Sequence, residues 1–124
     1  MEVTAVRYAD VLVVAARGRI DYTNAEDFKA ALLPHLEHCA AGRDQVVLDL
    51  SRLEYVSSAG LRVLMISAKE VRARKGRLVA VALQPVVREI FEISRFTLVF
   101  DIFDSVPDAL RALSPKAASM SHTG

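Results

Sequence analysis

Apolar positions along this chain follow two rhythms, and their order predicts the architecture. Five short runs are rich in β-branched residues: Val3–Tyr8, Val11–Ala16, Gln45–Leu50, Arg77–Leu83 and Thr97–Phe103. Only the Ala9-Asp10 region separates the first two, which predicts an antiparallel hairpin. Helical patterns separate the later runs, so those strands are expected to be joined by crossovers and to run largely parallel. Val46, Val47, Leu48 and Leu50 are nearly continuous, as in a strand covered on both faces.

Between the strands the period changes to that of a helix. Thr23 with Glu26 three residues on fits a capping box, predicting a first helix from Thr23 with Phe28, Leu32 and Leu36 buried. Pro34 clashes with the carbonyl of Ala30 in a regular helix, so a kink or a separate short turn is expected there. Leu61, Leu64, Met65, Ala68 and Val71 mark one face of a second helix, and Arg62, Lys69, Glu70, Arg72 and Arg74 mostly the other. Gly76 is placed to stop it. A third helix is expected from Pro85, with Val87, Ile90 and Phe91 inward, and a short fourth after Ser105 carrying Ala109, Leu110 and Leu113. The small, polar stretch Ser114–Gly124 reads as a disordered tail, leaving residues 1–113 as one domain. The expected fold class is α/β: a mixed, mostly parallel sheet with an N-terminal antiparallel strand pair, packed by about four helices.

Composition narrows the function classes. A chain of 124 residues suits one domain. A net charge of +1 sets up no global field for nucleic acid or an anionic membrane. The one cysteine, Cys39, allows no internal disulfide and fits a cytoplasmic setting. No apolar run reaches the roughly 20 residues of a membrane span. The N-terminus lacks the layout of a signal peptide.

The chemistry concentrates in Tyr55-Val-Ser-Ser-Ala-Gly-Leu61, after a strand and before the amphipathic second helix. Ser58 there has three readings. It is an N-cap whose hydroxyl accepts from the amide of Gly60 or Leu61, a role Ser57 could take instead. It is a nucleophile, although Val56 stands where a nucleophile elbow needs glycine. Or it is a phosphoacceptor, since a helix start offers unpaired amides and a positive dipole end to an anion.

The run Tyr55-Val-Ser-Ser-Ala-Gly-Leu-Arg-Val-Leu-Met65 resembles the signature of the sulphate-transporter and anti-sigma-factor-antagonist (STAS) family. Gly18-Arg-Ile-Asp21-Tyr-Thr-Asn-Ala25 is similar to its strand-to-first-helix segment, and Pro85-Val-Val-Arg-Glu-Ile-Phe91 with Phe96 to its third-helix region. The resemblance implies a mixed sheet backed by helices. In the bacterial antagonist branch it implies phosphorylation of Ser58, with Ser57 as an alternative acceptor, by a partner that is both kinase and anti-sigma factor and holds the ATP. A serine phosphatase would reverse the step. Asp21, Tyr22, Thr23, Ser57, Ala59, Gly60 and Arg62 would form the partner surface of a monomer or weak dimer that is no enzyme and holds no cofactor. The branch's common motif carries aspartate where this chain has Ser57. A STAS interaction subunit of a lipid-transport or signalling assembly, without a phospho-switch, is the alternative.

Two other clusters have simpler readings. His35, His38 and Cys39 share a helical spacing suited to zinc, but Pro34 disturbs it and no second cluster completes a tetrahedron, so no metal is expected. Lys69, Arg72, Arg74, Lys75 and Arg77 read as a solvated helix end complementing its dipole rather than a nucleic-acid site.

Overall fold

The computed structural model describes residues 2–121. Strands β1 (Glu2–Tyr8) and β2 (Val11–Ile20) form the expected hairpin, paired antiparallel from Glu2↔Arg17 to Tyr8↔Val11. Then come α1 (Ala25–Leu32), β3 (Gln45–Val56), α2 (Ser58–Ala73), β4 (Leu78–Val81), α3 (Pro85–Ile93), β5 (Asp101–Phe103), α4 (Val106–Leu113) and α5 (Pro115–Ser121). The sheet order is β1-β2-β3-β4-β5, and the pairs from β2 to β5 are parallel. Each parallel step carries a helical crossover to the adjacent strand, so chain order and sheet order coincide.

Alternation of strand side chains divides the core in two. Val14, Ala16, Val46, Leu48, Leu50 and Ala80 face α1, α2 and α3. Val11, Val13, Val47, Val79 and Val81 face the opposite way, against Ala109 and Leu110 of α4 and Ala117 and Ala118 of α5. Phe91 and Phe96 meet edge to face with ring centroids 5.4 Å apart, and Phe100 completes the cluster.

Four expectations are corrected. First, Ser114–Ser121 is ordered: Ser114 is buried, its Oγ accepts from Ala117 N at 3.2 Å, and α5 lays Ala117 and Ala118 on the second sheet face. Two alanines suffice because small side chains let the helix approach the sheet closely. Residues 122–124 of the expected tail lie outside the described residues. Second, α1 begins at Ala25 after an N-cap position at Asn24, so Thr23 caps nothing. Third, Thr97–Phe103 is a strand only from Asp101; Phe96–Leu98 is a 3-10 turn, because burying Phe96 and Phe100 on one side needs helical spacing. Fourth, α2 ends at Ala73 and Lys75, not Gly76, takes the left-handed conformation (φ 58°). Gly76 is needed for another reason: a Cβ there would lie 2.6 Å from the Cys39 carbonyl oxygen. The break at Pro34 does occur, as a 3-10 turn over Leu33–Leu36.

Candidate functional site

β2 and β3 run parallel and end side by side, with Ile20↔Val56 their last register pair. The chain therefore leaves both strands at the carboxyl-end edge of the sheet, where open α/β sheets present their ligand-binding loops. Ser57 extends the ladder by one bond, its N–H donating to the Ile20 carbonyl at 2.8 Å.

The two adjacent serines then divide the work. Ser57 is the cap: extended backbone (φ −82°, ψ 172°), carbonyl accepting from Leu61 N at 2.8 Å, Oγ accepting from Gly60 N at 3.2 Å. Ser58 is the first helical residue, exposed, and its hydroxyl has no hydrogen-bond partner among the described residues. The cap reading of Ser58 is thereby corrected: the role falls to its neighbour. First-turn amides precede any intrahelical acceptor, so those of Ser58 and Ala59 stay unpaired beside the free hydroxyl.

Gly60 is fixed by close packing. A Cβ there would sit 2.7 Å from Ile20 Cγ2 and 2.7 Å from Val56 Cγ2, so only glycine seats the start of α2 on the ends of β2 and β3. Gly60 is buried and belongs to the packing beneath the site. Arg62 is exposed one turn on from Ser58, on the same side of the helix.

The facing loop is tied to itself. Asp21 Oδ1 accepts from Thr23 N at 2.9 Å, from the Thr23 hydroxyl, and from Asn24 N at 3.2 Å. Asn24 answers, its Oδ1 accepting from Asp21 N at 2.9 Å and its Nδ2 donating to the Arg19 carbonyl at 2.8 Å. The Thr23 hydroxyl, then its amide, hold the Asp21 carboxyl below the usual aspartate range. This turn presents Tyr22 at 83% exposure. On the strands beneath, the Arg19 guanidinium lies 4.7 Å over the Tyr55 ring.

Of the sequence-predicted surface, Asp21, Tyr22, Thr23, Ser57, Ser58, Ala59 and Arg62 do gather at this edge. Asn24, Arg19 and Tyr55 were not foreseen. Asparagine just before a helix is a standard cap signal and marked the first; the stacked pair depends on strand register, which no local pattern gives. His35 and His38 lie at the other end of α1, toward the opposite sheet edge. Cys39 is buried there, its Sγ donating to the Arg77 carbonyl at 3.2 Å, and burial raises its thiol pKa. Among the described residues no cluster of three or more His, Cys, Asp or Glu could hold a metal ion, and no helix is long and apolar enough to cross a membrane.

Comparison with known proteins fits this geometry. The chain is 41% identical over 105 residues to the "Putative anti-sigma factor antagonist BtrV" of Bordetella bronchiseptica, spanning 85% of this chain and 88% of that protein. An anti-sigma factor antagonist from Mycobacterium paratuberculosis superposes with a TM-score of 0.80, covering 90% of this chain and 92% of its own, at 23% identity. The Bacillus cell fate determinant SpoIIAA shares the fold in its unphosphorylated form (TM-score 0.69, 18% identity, 90% of this chain and 96% of that one) and its phosphorylated form (0.65, 17%, 90% and 99%). The STAS domain family model matches residues 2–109, and the chain belongs to that family.

Proposed function

We propose that this protein is an anti-sigma factor antagonist, a non-catalytic cytoplasmic regulator whose Ser58 hydroxyl is its switch. Unphosphorylated, it engages an anti-sigma factor that is also a serine kinase, and so frees a sigma factor. The kinase supplies the ATP: Ser58 Oγ attacks the γ-phosphorus, the bond to ADP breaks, and the hydroxyl proton passes to a base on the kinase. A phosphatase hydrolyses the ester and resets the cycle. The observation that carries this reading is the division between the serines. Because Ser57 holds the helix start, Ser58 is exposed and its hydroxyl can change chemistry without removing a cap.

The departure at Ser57 from the branch's aspartate has a physical reconciliation. Aspartate and serine are about equally good N-caps, so the structural task of that position is retained. Phosphorylation adds about 1.5 to 2 negative charges, which the neighbouring amides and the positive end of α2 tolerate. The cost falls on the complex, where the new charge must be desolvated against the partner. A loss of about 3 kcal/mol there weakens affinity by more than a hundredfold.

Incubation with the kinase and ATP, followed by intact mass and site mapping, tests the reading. One phosphoryl group is expected, retained in Ser57→Ala and absent in Ser58→Ala. Ser58→Asp should bind the kinase far more weakly than Ser58→Ala. Failure of wild type to gain a phosphoryl group, with equal affinities for the two Ser58 variants, would favour the passive interaction subunit instead.

A further inference from the structure

The two lateral edges of the sheet are built differently. β5, on one side, is three residues long, and its Asp101 pairs with Arg77 at 3.2 Å. β1, on the other, runs for seven residues in unbroken register with β2, holds no proline, and is exposed at every position except the half-buried Val3 and Tyr8. Tyr8↔Val11 closes the hairpin as a hydrogen-bonded pair, so the even residues bond to β2. The N–H and C=O groups of Val3, Ala5 and Arg7 therefore point away from it. Edges of this length are commonly guarded by a charge, a bulge or a proline. Here the one cation of the strand is withdrawn: Arg7 reaches across β2 to donate to both Asp44 carboxylate oxygens at 2.9 Å. Beside the edge, on the face that carries α4, Val6 is 53% exposed and lines a depression of about 370 Å³ with Tyr8, Ala15 and Pro107.

We infer that this edge pairs with the β1 edge of a second copy of the chain, antiparallel about a two-fold axis through Ala5, to give a reversible homodimer. The strand is its own complement in that register. Val3 faces Arg7, Thr4 faces Val6 and Glu2 faces Tyr8 of the other copy, so no charge meets its like. Only the axis residue meets itself, and there the chain has alanine, small and uncharged. The outward backbone groups of Val3, Ala5 and Arg7 then bond to those of Arg7, Ala5 and Val3 opposite, and the exposed Val6 is covered by Thr4. This self-complementarity selects a second copy over a foreign strand. Assembly stops at the dimer, because it uses both β1 edges and the short, charged β5 edge cannot extend it. A seven-residue edge pair falls at the low end of interface size, so a Kd of about 10–100 µM is expected. The Ser58 site lies at the carboxyl ends of β2 and β3 rather than on β1, so the inference is independent of the phosphoacceptor reading.

Sedimentation velocity of the full chain from about 5 to about 500 µM tests this. Wild type and Ser58→Glu are expected to pass from monomer to dimer over that range. Ala5→Lys alone and Ala5→Glu alone should each dimerise at least about tenfold more weakly, since each sets like charges against one another at the axis. Ala5 is exposed, so both variants should fold, as thermal melting at low concentration would verify. Their equimolar mixture should regain the dimer to within about threefold of wild type, because unlike charges now meet at the axis. A wild type that stays monomeric at the highest concentration overturns the proposal. So does a dimer unmoved in both single variants, or a mixture no better than its components. Binding of an unrelated labelled strand peptide, Lys-Thr-Val-Thr-Val-Thr-Glu, by a monomeric wild type would make a foreign strand the occupant and overturn it too.

Discussion

The two ends of α2 are secured in opposite ways. At its start the helix rests on side chains: Gly60 sits against methyl groups of Ile20 and Val56, and a single hydroxyl, Ser57, caps it. At its end it is bound to backbone. Gly76 lies against the Cys39–Ala40 peptide, while Arg74 folds back to donate to the carbonyls of Leu36 at 2.8 Å and Cys39 at 3.3 Å. The start therefore keeps a free hydroxyl and unpaired amides at the surface, where an added group costs the core nothing. The first end is open to solvent and the second is closed by backbone contacts.

Glycine substitution should break this comparison most sharply. Gly76→Ala meets immovable backbone at 2.6 Å, and a loss of more than about 3 kcal/mol is expected in chemical denaturation. Gly60→Ala meets buried methyl groups at 2.7 Å that yield less stiffly than backbone, so a smaller loss of about 1–3 kcal/mol is expected. A larger loss at Gly60 than at Gly76 would reverse the account of which end is rigid. The serines come next. Ser57→Ala should cost about 1 kcal/mol as a lost cap, and Ser58→Ala less than about 0.5 kcal/mol. Were Ser58→Ala the costlier, the division of labour between them would be wrong.

The smallest effects concern pH, and each sheet edge has its own acid. Asp10, near the end of α2, accepts from the Ser114 hydroxyl at 2.7 Å and from Gln45 Nε2 at 3.1 Å. The Ser114 bond, foremost, holds its carboxyl below the usual aspartate range. Asp21, at the opposite edge, is lowered by Thr23. Both are depressed in the folded state, so their contribution is present above the unfolded aspartate pKa of about 4 and is lost as pH falls through the folded values. Asp21 ties residues only two and three positions away, whereas Asp10 ties α5 across 104 positions of sequence. Acidification from about pH 6 to about pH 3 should therefore lower the protection factors of the Ala117 and Ala118 amides, each rate being referred to its intrinsic value at that pH, and Asp10→Ala should reproduce this at neutral pH. Asp21→Ala should affect only residues 21–24. Unchanged exchange in Asp10→Ala would remove that acid from the docking of α5.

Much of the candidate site was legible from the chain itself. The family motifs, the β-branched runs and the 3.6-residue period after Ser57 put a serine at a helix start beside the Asp21 loop. The choice between Ser57 and Ser58 was not legible, because both are good caps and only the register of Val56 against Ile20 decides which backbone turns into the helix. Thr23 looked like the cap of α1, yet Asn24 occupies that position while Thr23 closes on Asp21.

The sequence by itself determined most of the elements, the N-terminal hairpin and the parallel run of the later strands, since these follow from local periodicity and from the helical segments between strands. Tertiary structure alone decided the rest: that α5 folds, that Thr97–Phe103 is a strand only in its last three residues, and that Gly76 is kept for a close approach rather than for a turn. Each of these depends on a surface supplied by distant residues. Ala117 and Ala118 find the second face of the sheet, Phe96 and Phe100 find Phe91, and Gly76 finds the Cys39 carbonyl. Local composition carries no record of such partners.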